Sequence, residues 1–139
     1  MGRVLVEALV ENLQDVWDLK RGLLTEDKVR RVDASDALVD TGATYLSLPK
    51  RLIQQLGLDL SYRKRAMSSI GPAVLGVYQA VRLTIQGRSC VAEVVEVPDD
   101  VPILIGQLPL ESLDFVIDMK THALIGNPAH GGEHVLEMY

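Results

Sequence analysis

Two fully apolar triplets, each followed at once by a residue that ends a strand, constrain the fold more than any other feature of the sequence. Ala37-Leu38-Val39 runs into Asp40, and Ile103-Leu104-Ile105 runs into Gly106. Apolar segments this short, bounded by turn residues, are typical of strands that are buried on both faces. We therefore place both triplets inside a β structure.

Much of the remaining chain also has the pattern of short strands separated by turns. In the segment 74–85, apolar residues recur with an approximate period of two, and Gly87-Arg88 predicts a hairpin turn into the segment 90–97. Two short helices are expected, one beginning near Pro49 and one over residues 108–113. The sequence thus predicts a mainly β fold with two short helices, arranged as a closed or partly closed barrel.

Length and charge exclude several classes of protein. The 139 residues suit one domain, and the net charge of −5 does not favour nucleic-acid binding. The basic stretch Arg63-Lys64-Arg65 is short, so we interpret it as a solvated strand end. No apolar run is long enough to cross a bilayer, and Cys90 is the single cysteine. We expect a cytoplasmic protein that binds neither membranes nor nucleic acid.

The segment with a chemical signature is Asp40-Thr41-Gly42-Ala43, which directly follows the first apolar triplet. An apolar strand here delivers a carboxylate into a turn, and glycine permits close backbone approach at that turn. A turn or capping role for Asp40 is the alternative, since aspartate and glycine are common in turns. The second triplet, ending at Gly106, is what favours a functional role.

Together these segments resemble the retropepsin-like family of aspartic peptidases, and the chain is similar to its bacterial-type members. Asp40-Thr41-Gly42-Ala43 matches the active-site signature, and Ile103 to Gly106 matches the second hydrophobic-glycine element. The resemblance covers Val4 to Ile125 and implies a single-lobe, acid-protease barrel. In that fold the second element passes under the catalytic loop, and the run from Ala66 to Tyr78 forms a flap over the substrate.

The resemblance implies an endopeptidase that cuts polypeptides with a water activated by two aspartates. The chain has one such motif, so the second carboxylate must come from Asp40 of another copy in a homodimer. Asp40 would carry the chemistry, Thr41 would orient the loop and brace the partner, and Gly42 would permit the turn. Ala43 and Gly106 are expected to give structural support.

At the flap we predict that Ser69, Ile70 and Gly71 bind substrate; an ordinary surface hairpin is the alternative. Residues 1–126 are expected to form the peptidase domain. Residues 127–139 are expected to form a flexible, loop-like tail, with an interface strand at its end as one alternative.

Other functions were weighed against the peptidase. The same fold could serve as a peptide-binding or dimerisation module with weak or absent catalysis, or the chain could cleave only its own precursor. The pair His130 and His134 suggests a metal site, but two glycines between them disfavour the rigid helix that such a spacing requires. We expect no metal and no cofactor.

Overall fold

The structure is a computed structural model that describes residues 3–68 and 71–135. Its strands are β1 (Leu5–Asn12), β2 (Arg31–Val39), β3 (Leu46–Pro49), β4 (Leu60–Ser68), β5 (Gly71–Ile85), β6 (Arg88–Val97), β7 (Leu104–Ile105), β8 (Phe115–Asp118) and β9 (Ala123–Gly126). The α-helices are α1 (Leu13–Lys20), α2 (Lys50–Gln55) and α3 (Gln107–Leu113). None of the helices in the described residues is long and apolar enough to span a membrane.

Six of the strands close into a ring. Their order is β1-β2-β7-β3-β6-β5, and β1 pairs with both β2 and β5 to complete it. In the described chain, β4 pairs only with β5 and so stands outside the ring, while β8 and β9 form a separate antiparallel pair. This arrangement confirms the mainly β fold that the alternating apolar pattern predicts.

The interior of the ring is filled by aliphatic side chains from every one of its strands. Residues with no exposed surface include Val10, Ala37, Leu46, Val81, Leu83, Val94 and Ile105. Both apolar triplets contribute to this core. Ala37 and Val39 of β2 are buried, and so are Ile105 of β7 and Ile103, the residue that precedes β7. Their burial explains why these two segments have no polar residues.

The helix α1 is additional to the two helices that the sequence predicts. Asn12 begins the helix, and its side chain accepts a hydrogen bond from the Asp15 amide at 3.0 Å. Asp15 is buried and holds Arg30 through two side-chain hydrogen bonds, at 2.8 and 3.0 Å. An asparagine cap with aspartate three residues later is a recognised helix start, and this signal could have been read from the sequence.

The two expected helices are present with adjusted ends. Ser47 lies in β3 and does not cap α2, which begins at Lys50 after Pro49. The helix α2 ends just before Gly57, whose φ of +65° is a conformation that glycine adopts without strain. The helix α3 begins directly after Gly106, and its position relative to β2 determines the geometry of the candidate site.

Candidate active site

Asp40 is positioned by β2 and β7, which pair in parallel within the ring. Leu38 and Val39 of β2 lie beside Leu104 and Ile105 of β7. The Asp40 amide donates to the Ile105 carbonyl at 2.9 Å, so the last hydrogen bond of this pair holds the aspartate backbone itself. The position of the carboxylate is therefore tied to the buried core and not to a mobile loop.

The Asp40 loop, residues 40–45, begins with a tight turn that orients the carboxylate. The Gly42 amide donates to Asp40 Oδ1 at 3.0 Å, and the Ala43 amide donates to the Asp40 carbonyl at 3.1 Å. A Cβ atom at Gly42 would lie only 3.2 Å from that same carboxylate oxygen. A side chain at this position would therefore push the Asp40 carboxylate aside by a few tenths of an ångström, although the φ of Gly42 is not in the left-handed region.

Gly106 brings the start of α3 against the Asp40 loop. Three consecutive amides, those of Gly106, Gln107 and Leu108, donate to the carbonyls of Tyr45, Ala43 and Thr44 at 3.1, 2.8 and 2.9 Å respectively. A Cβ atom at Gly106 would lie 2.7 Å from the Thr44 carbonyl carbon and 2.8 Å from the Ala43 oxygen. The two apolar triplets and the residues that follow them therefore form one packed unit.

Asp40 lines a surface pocket of about 400 Å³. Its walls come from the chain start at Arg3 and Val4, from β2, and from the β8–β9 hairpin at Ile117, Met119 and His122. Asp40 is the only carboxylate among the described residues that line it. Within the described residues, one chain therefore brings a single carboxylate to this pocket.

The side chains of Thr41 and Asp118 differ in the hydrogen bonds that they form within the chain. Thr41 is exposed, and within the described part of the chain its hydroxyl makes no hydrogen bond. Asp118, the other aspartate that follows an apolar run, accepts hydrogen bonds from the Lys120 amide and the Thr121 hydroxyl, both at 3.0 Å. The hydrogen bond from the Lys120 amide is the main reason why the pKa of Asp118 is lowered. Both hydrogen bonds come from the turn that follows, so Asp118 caps that turn.

The predicted flap corresponds to the hairpin of β4 and β5. Ser69 and Ile70 lie outside the described residues, so two of the three predicted substrate-binding residues have no structural description. Gly71 is the first residue of β5, pairs with Ser68, and has a φ of +124°. Only glycine adopts that angle readily, which accounts for the residue at this corner.

Side chains that sequence reasoning missed hold β4 against the ring. The Tyr62 hydroxyl donates to the Glu93 carboxylate at 3.0 Å, and Lys64 Nζ donates to the Tyr45 hydroxyl at 2.8 Å. Lys64 also lies 5.5 Å from the centre of the Tyr45 ring. The hydrogen bond to Tyr45 is the main cause that raises the pKa of Lys64, and Tyr45 belongs to the Asp40 loop. No local sequence signal joins residues so far apart along the chain.

The segment 127–135 is folded back onto the end of α3, which differs from the flexible tail expected. The buried Asp114 accepts hydrogen bonds from His130 Nδ1 at 2.6 Å and from the Val135 amide at 3.1 Å. Arg88 donates to the carbonyls of Asp114 and Gly132, which secures the tail from a second strand. Whether residues 136–139 form an interface strand is a prediction that lies outside the described residues.

The structure offers little to the other chemistries considered. In the described residues, no group of three or more His, Cys, Asp or Glu side chains is placed to hold a metal ion. Burial raises the pKa of Cys90 to about 11, so its thiol stays protonated and unreactive at neutral pH.

The family of the chain is decided by comparison with known proteins. The sequence model of a family described as aspartyl protease matches residues 28–108, more than half of the chain, including Asp40, Gly42 and Gly106. The chain belongs to the aspartyl protease family. This confirms the retropepsin-like assignment made from the two motifs, and membership of the family supports a peptidase activity.

A solved structure was also matched. The solution structure of the simian foamy virus (mac) protease is 21% identical over 78% of this chain and 93% of that chain, with a TM-score of 0.49. Among curated protein sequences, none matches this chain.

Proposed function

We propose that this aspartyl protease is an endopeptidase whose active site forms between two copies of the chain. Each copy contributes its Asp40, and the pair activates a water molecule against a substrate peptide bond. The observation that carries this proposal is the placement of Asp40, which is held by the core at a surface pocket where, among the residues that the structure describes, it is the sole carboxylate. An acid–base pair is complete only when a second copy covers that pocket.

The chemistry follows from the behaviour of two carboxyl groups a few ångströms apart. Both cannot ionise together, so the pair holds one proton, as is general in aspartic proteases. The ionised carboxyl takes a proton from water as the water oxygen bonds to the peptide carbonyl carbon, while the protonated carboxyl donates to the carbonyl oxygen. The C–N bond then breaks as the carboxyl that took the water proton passes it to the departing amine, and one hydroxyl of the intermediate returns its proton to the other carboxylate. The Gly42 amide helps to keep Asp40 oriented throughout.

The surroundings of Asp40 favour a two-fold partner. Thr41 presents its hydroxyl to solvent beside Asp40, and Met119, which lines the same pocket, is 72% exposed. Leu5, next to the pocket residue Val4, is 54% exposed. Exposed apolar side chains around a functional pocket mark an interaction surface. An isologous contact here would bring Asp40 and Thr41 of both chains to the symmetry axis.

The test is cleavage of an unfolded protein substrate across pH 3 to 7, with and without pepstatin, by wild type and Asp40→Asn. We expect the substitution to abolish cleavage while the melting temperature stays close to that of wild type. Cleavage that survives in Asp40→Asn would contradict the assignment. Binding of peptides without any cleavage by wild type would favour the peptide-binding module instead.

A mixing experiment tests whether two carboxylates from two chains are needed. Wild type and Asp40→Asn are refolded together in equal amounts, so that subunits exchange at random. If both aspartates are required, activity falls to about one quarter of the value for the same total amount of wild type, and if each chain acts independently of its partner it falls to about one half. A fall to only about one half would contradict an active site shared between two chains.

A further inference from the structure

The strand β4 has one edge that is unpaired in the described part of the chain. Its register with β5 runs from Leu60 to Ser68, and among the described residues it has no second partner strand. Along an unpaired edge every second residue turns its N–H and C=O groups outward, where they are free to pair with another extended chain. We call this side of β4 the open edge.

The basic stretch Arg63-Lys64-Arg65 lies in the middle of β4, and not at a strand end as the sequence suggests. Side chains alternate between the two faces of a strand. Lys64 lies on the face toward the ring, where it donates to the Tyr45 hydroxyl at 2.8 Å. Arg63 and Arg65 therefore lie together on the opposite face, which we call the outer face.

Arg63 and Arg65 have no acidic partner in the described part of the chain. Both are exposed, and their guanidinium groups form no hydrogen bond or ion pair with any residue that the structure describes. Arg30, Arg31 and Arg82, in contrast, each bind a carboxylate. The chain has a net charge of −5, yet these two arginines keep their donors available for carboxylates supplied from outside.

The outer face of β4 continues from the two arginines to an apolar residue. Met67 follows Arg65 by two positions, so it lies on the same face, and it is 81% exposed. On the outer face, β4 therefore presents two basic side chains and one apolar side chain at a spacing of two residues. A strand added at the open edge would place its own side chains about 5 Å from this row.

We propose that the open edge of β4 binds an extended acidic segment of a partner protein by strand addition. Two carboxylates at alternate positions of that segment lie beside Arg63 and Arg65, and an apolar side chain lies beside Met67. Main-chain hydrogen bonds supply affinity, and the spacing of the carboxylates supplies specificity. A nucleic acid fits less well, because it has no peptide backbone to pair with the edge and only two arginines face it.

This site goes beyond the proposed peptidase function and does not depend on it. None of the residues that line the Asp40 pocket belongs to β4. The test therefore measures binding and not cleavage.

The probe is the blocked peptide Leu-Thr-Glu-Thr-Glu-Thr-Leu with an N-terminal fluorophore, whose two end leucines serve either strand direction. The control peptide, Leu-Thr-Thr-Glu-Glu-Thr-Leu, has the same composition but places its glutamates on opposite faces of a strand. Binding is followed by fluorescence anisotropy at pH 7, and mass spectrometry verifies that the peptides stay intact. We expect the first peptide to bind about tenfold more tightly than the second, and its binding to weaken as salt is added.

Variants locate the peptide on the outer face. Arg63→Gln combined with Arg65→Gln should weaken binding of the first peptide by about tenfold. Lys64→Gln removes a charge from the opposite face of the same strand, and Lys50→Gln combined with Arg51→Gln removes two exposed charges at the start of α2. Both controls should stay within about twofold of wild type. Circular dichroism and the melting temperature establish that each variant is folded.

Two further measurements test strand addition itself. The first peptide is made in two N-methylated versions, one methylated at its odd and one at its even residues. One version should lose binding, because its methyl groups face the open edge and block hydrogen bonds there, and the other should keep most of it. Hydrogen exchange in the segment 60–68 should slow when the unmethylated peptide binds.

Several results would overturn the inference. These are no binding of either peptide, equal binding of the two peptides, unchanged binding by the double arginine variant, or binding by both methylated versions. Loss of binding in Lys64→Gln alone would place the peptide on the ring side of β4. Self-association of wild type that the double arginine variant loses in ultracentrifugation would make a second copy the occupant. Tighter binding of a single-stranded oligonucleotide than of the first peptide would favour nucleic acid.

Discussion

Replacing Gly106 by alanine tests the contact on which the placement of Asp40 depends. The new methyl group would lie 2.7 Å from the Thr44 carbonyl carbon, 2.8 Å from the Ala43 oxygen, and nearer still to the Tyr45 oxygen. All three are backbone atoms, so no side chain can rotate away to make room. Relief requires the Asp40 loop to move off α3, which strains the hydrogen bonds from the Gly106, Gln107 and Leu108 amides.

The size of the effect follows from these two contributions. Overpacking costs about 1–3 kcal/mol, and each weakened hydrogen bond costs up to about 1 kcal/mol. We therefore expect Gly106→Ala to lower the free energy of unfolding by about 3 kcal/mol and the melting temperature by roughly 10 °C. Peptide cleavage should fall further than stability alone explains, since the loop that orients Asp40 is displaced.

The assay is urea unfolding followed by circular dichroism at one fixed protein concentration, because the proposed dimer would make apparent stability depend on concentration. Gly76→Ala is the matched control. Its methyl group would meet only side-chain atoms, the nearest being a Leu60 methyl at 3.2 Å, and the backbone φ is ordinary. That variant should stay within about 0.5 kcal/mol of wild type. If Gly106→Ala proves as stable as Gly76→Ala, the packing argument is refuted.

Three further outcomes are expected. Burial raises the pKa of Asp114, but hydrogen bonds from His130 and from the Val135 amide outweigh this effect and lower the pKa below its ordinary value of 3.8. The ionised carboxylate therefore stabilises the docked segment 127–135 above pH 3.8. That stabilisation is lost, and the segment is released, as the pH falls through the lowered pKa. Asp114→Asn, which suits the left-handed backbone there, should make the segment 127–135 more sensitive to limited proteolysis at pH 7; equal sensitivity would contradict the docking role. Cys90 should react with a thiol reagent at pH 8 much more slowly in folded than in urea-unfolded protein, since burial raises its pKa to about 11; equal rates would refute this. Glu11→Ala removes a carboxylate that is 3% exposed and bound by both Arg31 and Arg82, and it should lower the free energy of unfolding by about 2 kcal/mol in the same urea assay, whereas an unchanged midpoint would mean that these two ion pairs contribute nothing.

The elements that the sequence predicts well are those with local signals. In the triplets before Asp40 and Gly106 the outer residues are buried and the middle residues, Leu38 and Leu104, are half-buried, so the unbroken apolar run does indicate strands with little contact with water. The hairpin at Gly87 and the pair β8 and β9 likewise follow from turn residues between strand patterns. The approach of Gly106 to the Asp40 loop came from the family resemblance and not from any pattern within the chain.

What escaped prediction depends on partners distant in the sequence. Lys64 and Tyr45 meet only because β4 folds over the ring, and neither residue is unusual in its own segment. The tail was read as flexible because of Gly131 and Gly132. Both adopt left-handed φ angles, +67° and +79°, so they allow the chain to turn back toward Asp114 instead of loosening it. A glycine pair does not reveal from sequence which of these two roles it has.

The position of β4 outside the ring affects how the protein behaves in a crowded solution. A strand with one unpaired edge invites other chains to extend the sheet, which is a common start of aggregation. Here that edge carries Arg63-Lys64-Arg65, so two such edges repel each other. The ring strands avoid the same hazard, because each of them is paired on both sides over part of its length. In the described part of the chain, the positive charge on β4 thus disfavours self-association through the strand edge that the ring leaves unpaired.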